Sequence, residues 1–232
     1  MGFVENLVKE GWLKTPRIIE AFQKIKRVDF LPALPAGRPE DFKNLAELNE
    51  ALPIGFNQTI SQPLVVAFML ELLQPQAGDK ILDVGSGSGW TSALLAHIVS
   101  GGELKSKTQN QKSKINGRVV ALEVVPELME FGKKNAAKYS FLEKGIAEFI
   151  LADGSKGYQK EAPFNKILAS ASLTAASKIP PAWKNQLKIG GRIVAPIGNS
   201  VWLFIKNPPV GGKRDFQEKE YPGFVFVPLV KQ

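Results

Sequence analysis

Cysteine is absent from this chain, and histidine occurs once, at His97. The first absence excludes disulfides and thiolate metal sites, and with a single imidazole no protein-bound zinc is expected. Long apolar runs are also missing, so nothing in the sequence is long enough to span a membrane. No basic-then-apolar leader opens the chain, and a signal peptide is not expected. What remains is ordinary for a soluble globular protein: 232 residues, 44% hydrophobic and 22% charged, enough to bury one sizeable core. The net charge of +8 is a blunt signal. Much of it lies in Lys105, Lys107, Lys112, Lys114 and Arg118, in a polar excursion, and in Lys133, Lys134 and Lys138 on a helical pattern. It reads as solvated surface in preference to a nucleic-acid footprint.

The most informative stretch is Ile81-Leu82-Asp83-Val84-Gly85-Ser86-Gly87-Ser88-Gly89-Trp90. A short apolar run meets an acid and a glycine-rich turn, and a helical pattern follows, the unit with which α/β folds hold nucleotide-like cofactors. A nicotinamide site wants a small residue where Trp90 stands. An acid ahead of the glycines suits a cationic ligand better than a pyrophosphate. S-adenosyl-L-methionine, with an ammonium, a sulfonium and no phosphate, fits that turn.

Residues 3 to 31 read as two short helices, with Thr15 as N-cap and Pro16 at the first helical position. Residues 32 to 52 and 53 to 63 read as loop, and Pro63 opens a helix ending near Leu73. Strands then alternate with helices. The strands are expected at Lys80–Val84, Arg118–Glu123, Glu148–Ala152, Lys166–Ala169, Arg192–Pro196, Val201–Lys206 and Phe224–Leu229, and the helices at 90–99, 126–138 and about 178–187. This alternation predicts an α/β fold, a mainly parallel sheet covered by helices on both faces, preceded by short N-terminal helices. Seven strands with an antiparallel last strand resemble, by analogy of layout, the Rossmann-like sheet of class I methyltransferases. We expect one domain over residues 1–232: an N-terminal helical and substrate-loop segment (1–62) and a donor-binding core (63–232). The polar stretch from about 101 to 117 is expected to be a mobile loop.

Glu123 ends the second core strand, where open sheets place ligands, and is the expected ribose anchor. Asp153 and Gly154 end the third and suit the adenine. Thr59-Ile60-Ser61 precedes a helix start, and its hydroxyls and N–H groups suit an anion. Asn207-Pro208-Pro209-Val210 has the first three residues of a base-gripping signature but lacks its aromatic fourth, and follows the wrong strand; it reads as a turn. His97 reads as structural.

Together these segments resemble the protein-L-isoaspartate O-methyltransferases. The likeness is carried by Arg27-Val28-Asp29-Phe30-Leu31-Pro32, by Leu52 to Pro63 (Leu-Pro-Ile-Gly-Phe-Asn-Gln-Thr-Ile-Ser-Gln-Pro), by Asp83 to Gly89, by Leu122-Glu123, by Asp153-Gly154-Ser155, by Gly190 to Gly198, and by Phe226-Val227-Pro228-Leu229. The resemblance implies methyl transfer from S-adenosyl-L-methionine to the free α-carboxylate of L-isoaspartyl residues in damaged proteins and peptides. It implies Ser61 as the active-site residue, with Ile54, Thr59 and Ala171 beside it at the substrate. It assigns the donor to Thr59, Asp83, Gly85, Ser86, Gly87, Ser88, Gly89, Glu123, Asp153 and Gly154, with Asp83 facing the donor's positive end. It also implies a cytoplasmic monomer with no membrane or nucleic-acid partner. The chain departs from the family pattern at Asn57, where glycine is frequent, and in the hydroxyl-rich run Ser170 to Ser177. Two alternatives stay open on the residues alone: a methyltransferase of nucleic acid or another small acceptor, and a non-catalytic donor-binding module.

Overall fold

The structure, a computed structural model, describes residues 2–33, 39–102, 117–173, 179–209 and 215–229, with residues 39–42 described in backbone only. The expected excursion (103–116), Thr174–Lys178 and Val210 lie outside the described residues. Three helices open the chain: α1 (Phe3–Lys9), α2 (Pro16–Lys24) and α3 (Pro39–Ala46). A hairpin of β1 (Leu52–Gly55) and β2 (Gln58–Ile60) follows, and then α4 (Pro63–Leu73). The core is β3 (Lys80–Val84), α5 (Trp90–Val99), β4 (Arg118–Glu123), α6 (Pro126–Ala137), β5 (Ala147–Leu151), β6 (Phe164–Ala169), α7 (Pro181–Gln186), β7 (Leu187–Ile197), β8 (Ser200–Lys206) and β9 (Phe216–Pro222).

Seven strands form one sheet in the order β5-β4-β3-β6-β7-β8-β9. The first five are parallel, and β8 runs against both its neighbours. The expected antiparallel final pair is therefore present. Both faces of the sheet are covered, and the period-2 alternation of strand side chains sorts residues between two cores. Ile81, Val119, Ala121 and Leu168 face the core that holds α1, α2, α4 and α5. Leu82, Val84, Val120, Leu122 and Ile167 face the core around Trp183 of α7.

Three expectations need correction. The last strand is Phe216–Pro222, whereas Phe224–Leu229 forms no ladder. An edge strand tolerates charge, and Gln217 to Glu220 are exposed, so apolarity pointed to the wrong segment. Phe224 instead stacks on Phe68 at 5.1 Å, and residues 227–229 bond to Ser172, whose N–H donates to Val227 O while its carbonyl accepts from Leu229 N, each at 2.8 Å. Residues 32–52 contain α3, and 53–60 form a hairpin where loop was expected. Thr15 is the N-cap residue of α2 with Pro16 first in the helix, as expected; its hydroxyl donates to Glu71 Oε2 (2.7 Å) of α4, so the cap makes no side-chain bond.

Asn207-Pro208-Pro209 leaves β8 beside the starts of the parallel strands, the end of the sheet opposite the glycine turn, and Asn207 N donates to Asp215 O (2.8 Å). Residues 207–209 belong to no helix or strand, and the rest of the expected turn lies outside the described residues. His97 Nε2 lies 3.0 Å from Glu20 Oε1 and ties α5 to α2, a structural role.

Candidate functional site

A cleft with about 720 Å³ of empty space, part of it open to solvent, lies at the carboxyl ends of β3, β4, β5 and β6. This is where an open parallel sheet places its ligands, beside the strand at which the connections change direction. One wall is the turn Gly85–Ser88 with Trp90 and Thr91; a second is Leu122–Val125; a third is Ala152 and Gly154. Opposite stand Gln58–Ser61, Ser170 and Ala171, and the chain's late segment Val227–Leu229. Among these lining residues Glu123 alone ionises, while Thr59, Ser61, Ser86, Ser88, Thr91 and Ser170 supply hydroxyls.

Glu123 is almost fully buried. Its Oε2 accepts from Gly87 N (2.8 Å), and its Oε1 from Val124 N (2.8 Å) and Val125 N (3.1 Å). The carboxylate thus fastens the glycine turn to the end of β4 while forming part of the cleft wall. Gly154 is where the backbone must come close: a Cβ there would lie 2.3 Å from Val84 Cγ1. Its carbonyl accepts from Trp183 Nε1 (2.8 Å). Ile54 does not line the cleft; it packs behind the glycine turn, with its Cδ1 3.3 Å from where a Gly87 Cβ would stand. Gly89 also stands behind the wall.

Two further expected contacts are placed differently. Asp83 was expected to face the donor, but it does not line the cleft. Period-2 alternation along β3 sets it on the face of Ile81, under α5, where it is fully buried and Oδ2 accepts from Ser92 Oγ (2.6 Å). Asp153 is likewise off the wall. Its Oδ1 accepts from Ser155 N (2.9 Å) and caps the 3₁₀ turn Gly154–Lys156. Burial pushes Asp153 up, but the Ser155 hydrogen bonds and the Lys156 ammonium outweigh it, and the net shift is down.

Burial is the main cause that raises Asp83 from 3.8 to about 7; the Ser92 hydrogen bond opposes it and the Glu123 charge adds to it. A proton held there in the folded chain is released by the unfolded chain at lower pH. The contribution of Asp83 to stability therefore falls as pH rises from about 4 to about 7 and is level above that. Asp83→Asn is expected to raise the melting temperature of the ligand-free protein near pH 8, with a smaller gain near pH 5. Melting curves at the two pH values check it; an equal change at both contradicts the assignment.

The cleft suits S-adenosyl-L-methionine on its own features. Ser86 Oγ and Trp90 Nε1 are buried in the wall without a partner among the described residues. Among the described residues no lining side chain is cationic, which fits a ligand without phosphates. The model of the protein-L-isoaspartate(D-aspartate) O-methyltransferase family matches residues 2–232. The chain belongs to that family. Membership makes it a methyltransferase of protein L-isoaspartate with S-adenosyl-L-methionine as donor. A protein-L-isoaspartate O-methyltransferase of Aeropyrum pernix is 39% identical over 99% of this chain and 78% of its own length. A second, from Archaeoglobus fulgidus, is 40% identical over 92% and 84%. The fold matches a Plasmodium falciparum protein-L-isoaspartate O-methyltransferase solved with S-adenosyl-L-homocysteine, with a TM-score of 0.77 at 21% identity, covering 99% of this chain and 97% of that one.

Around this methyltransferase cleft stand supports whose role the sequence did not disclose. Gly132 of α6 meets the glycine turn backbone to backbone: a Cβ on it would lie 2.7 Å from Gly87 O. Asn135, one turn on and buried, donates from Nδ2 to Ser88 O (3.1 Å). A lone glycine inside a helical pattern was the available signal. Arg27 is buried, and burial lowers it to about 10 against the opposing charge of Glu47, so it stays cationic at neutral pH. Among the described residues, no group of acids and histidines is placed to hold a metal ion, and no helix is long and apolar enough to cross a membrane.

Proposed function

We propose that the glycine turn and Glu123 hold the donor, and that Gln58–Ser61 with Ala171 holds the isoaspartyl α-carboxylate across the cleft from it. The observation that supports this reading is the chemistry of the wall: among the described residues it carries six hydroxyl residues and one carboxylate, with no histidine or lysine. A carboxylate substrate is already ionised at about pH 7, so no base is needed to make it a nucleophile. When bound, the donor supplies a methyl group on cationic sulfur, which passes to a carboxylate oxygen as the carbon–sulfur bond breaks. The chain's own task is in-line placement, achieved without gripping the anion so tightly that its nucleophilicity is lost. Neutral hydroxyl and N–H donors do this; an arginine clamp would not. Ser61 is accordingly a residue that orients the carboxylate and moves no proton.

Residues 1–232 act in this reading as a single domain, and the protein as a cytoplasmic monomer that repairs damaged proteins. The base-gripping reading has no support, since Asn207-Pro208-Pro209 lies at the far end of the sheet. Labelled S-adenosyl-L-methionine, offered with paired isoaspartyl and aspartyl peptides, tests the function. Label on the isoaspartyl peptide alone, lost in mild base as an ester is, is the expected result; base-stable label on RNA would replace it with a nucleic-acid methyltransferase. Ser61→Ala is expected to lower kcat about tenfold while the affinity for S-adenosyl-L-homocysteine changes less than about twofold. Normal turnover in that variant removes Ser61 from the reading.

A further inference from the structure

Arg27 reaches both walls of the cleft from behind. It begins the 3₁₀ turn Arg27–Phe30, and its guanidinium donates to the carbonyls of Ala46 (3.2 Å), Leu48 (3.0 Å), Glu50 (2.6 Å) and Ser61 (3.2 Å). The same guanidinium lies 5.4 Å from the ring centroid of Trp90, the residue that follows the glycine turn. A planar fork spreads its donors over several carbonyls at fixed angles, and it stacks on an aromatic face. The ammonium of a lysine is a point charge and cannot span four acceptors in that arrangement.

The turn that carries Arg27 is itself held from α6. Tyr139, just beyond that helix, donates from its hydroxyl to Asp29 Oδ2 (2.6 Å) and accepts from Lys26 N (2.8 Å). Its ring stacks on Phe30 at 5.9 Å. A continuous set of contacts therefore runs from α6 through Tyr139 and Arg27 to the main chain of Ser61.

We infer that Arg27 is a positioning residue for methyl transfer, fixing the main chain of Ser61 relative to Trp90 and so setting the gap between substrate wall and donor wall. This rests on the proposed placement of the substrate at Gln58–Ser61. Displacing one wall by about an ångström misaligns the reacting atoms without removing a donor contact.

The test uses the full chain, assayed well below each variant's melting temperature. Arg27→Lys is expected to lower kcat/KM for an isoaspartyl peptide about tenfold and to leave S-adenosyl-L-homocysteine affinity within about twofold. Tyr139→Phe keeps the ring stack and lacks the bond to Asp29; it is expected to show the same pattern, about threefold on the peptide. This second variant carries the test if Arg27→Lys does not fold. Normal peptide kinetics in the variants that fold overturns the inference. So does an equal loss of donor affinity, since general loosening affects both walls. If Ser61→Ala turns over normally while Arg27→Lys is slow on peptide alone, the hydroxyl's role fails and the main-chain role of Arg27 stands.

Discussion

Gly89→Ala is expected to lower stability by about 3 kcal/mol and to reduce donor binding with it. Gly89 sits at φ +84°, which costs a residue with a Cβ about 1–2 kcal/mol. Its added Cβ would also meet Gly132 O at 2.6 Å and Gly132 Cα at 2.9 Å, both backbone atoms that no side-chain rotation can move away. Overpacking of this kind adds about 1–3 kcal/mol. For a chain of this size the melting temperature should fall by roughly 6–12 °C. Gly132→Ala is the matched experiment. Helix propensity alone favours alanine there by about 0.8–1 kcal/mol, whereas the contact with Gly87 O predicts a loss. A stabilised Gly132→Ala protein with full affinity for S-adenosyl-L-homocysteine would falsify the backbone-to-backbone packing of α6 against the glycine turn.

Glu123→Ala is expected to weaken S-adenosyl-L-homocysteine binding about a hundredfold, close to 3 kcal/mol. The variant removes the acceptor of three main-chain N–H groups, from Gly87, Val124 and Val125. Hydrogen bonds to a charged acceptor contribute about 1.5–3 kcal/mol each, and donors left unpaired add a desolvation cost. The glycine turn keeps the bonds from Gly85 N and Ser86 N to Leu122 O but loses its side-chain tie to the end of β4, and the cleft wall loses its carboxylate. Glu123→Gln keeps one acceptor oxygen, so a smaller loss of about tenfold is expected. Calorimetric titration of the three proteins decides it. Binding by Glu123→Ala within about threefold of the parent would show that the turn holds its shape alone and that the carboxylate does not grip the donor.

The parallel core was legible because its strands are buried on both faces and read as continuous apolar runs between helical patterns. Val119–Leu122 is of this kind, and Ile81–Val84 is so apart from the buried Asp83. The edge was not legible for the converse reason. Phe216–Pro222 has one hydrogen-bonding neighbour, β8, and Gln217 to Glu220 are exposed, so it carries little apolar signal. Phe224–Leu229 carries that signal and spends it on Phe68 and on the cleft wall. The β1–β2 hairpin was hidden in a similar way. Its turn residues Phe56 and Asn57 both have positive φ, and only Asn57 is a residue type that announces such a turn.

At the cleft, the sequence by itself determined the positions that chain geometry fixes locally: the glycine turn after β3, Glu123 at the end of β4, Gly154 just past β5 and the Thr59–Ser61 run. The first three follow from spacing along a strand–turn–helix unit, and spacing is a property of the chain; the Thr59–Ser61 run stood out through the resemblance of the whole Leu52–Pro63 segment to the family. Only the tertiary structure decided what lies behind them. Asp83 stands under α5 and not in the cleft because side-chain alternation along a buried strand chooses its face. Arg27 and Gly132 gain their contacts from chain segments 34 and 43 residues away, and no local pattern encodes a contact made across the fold.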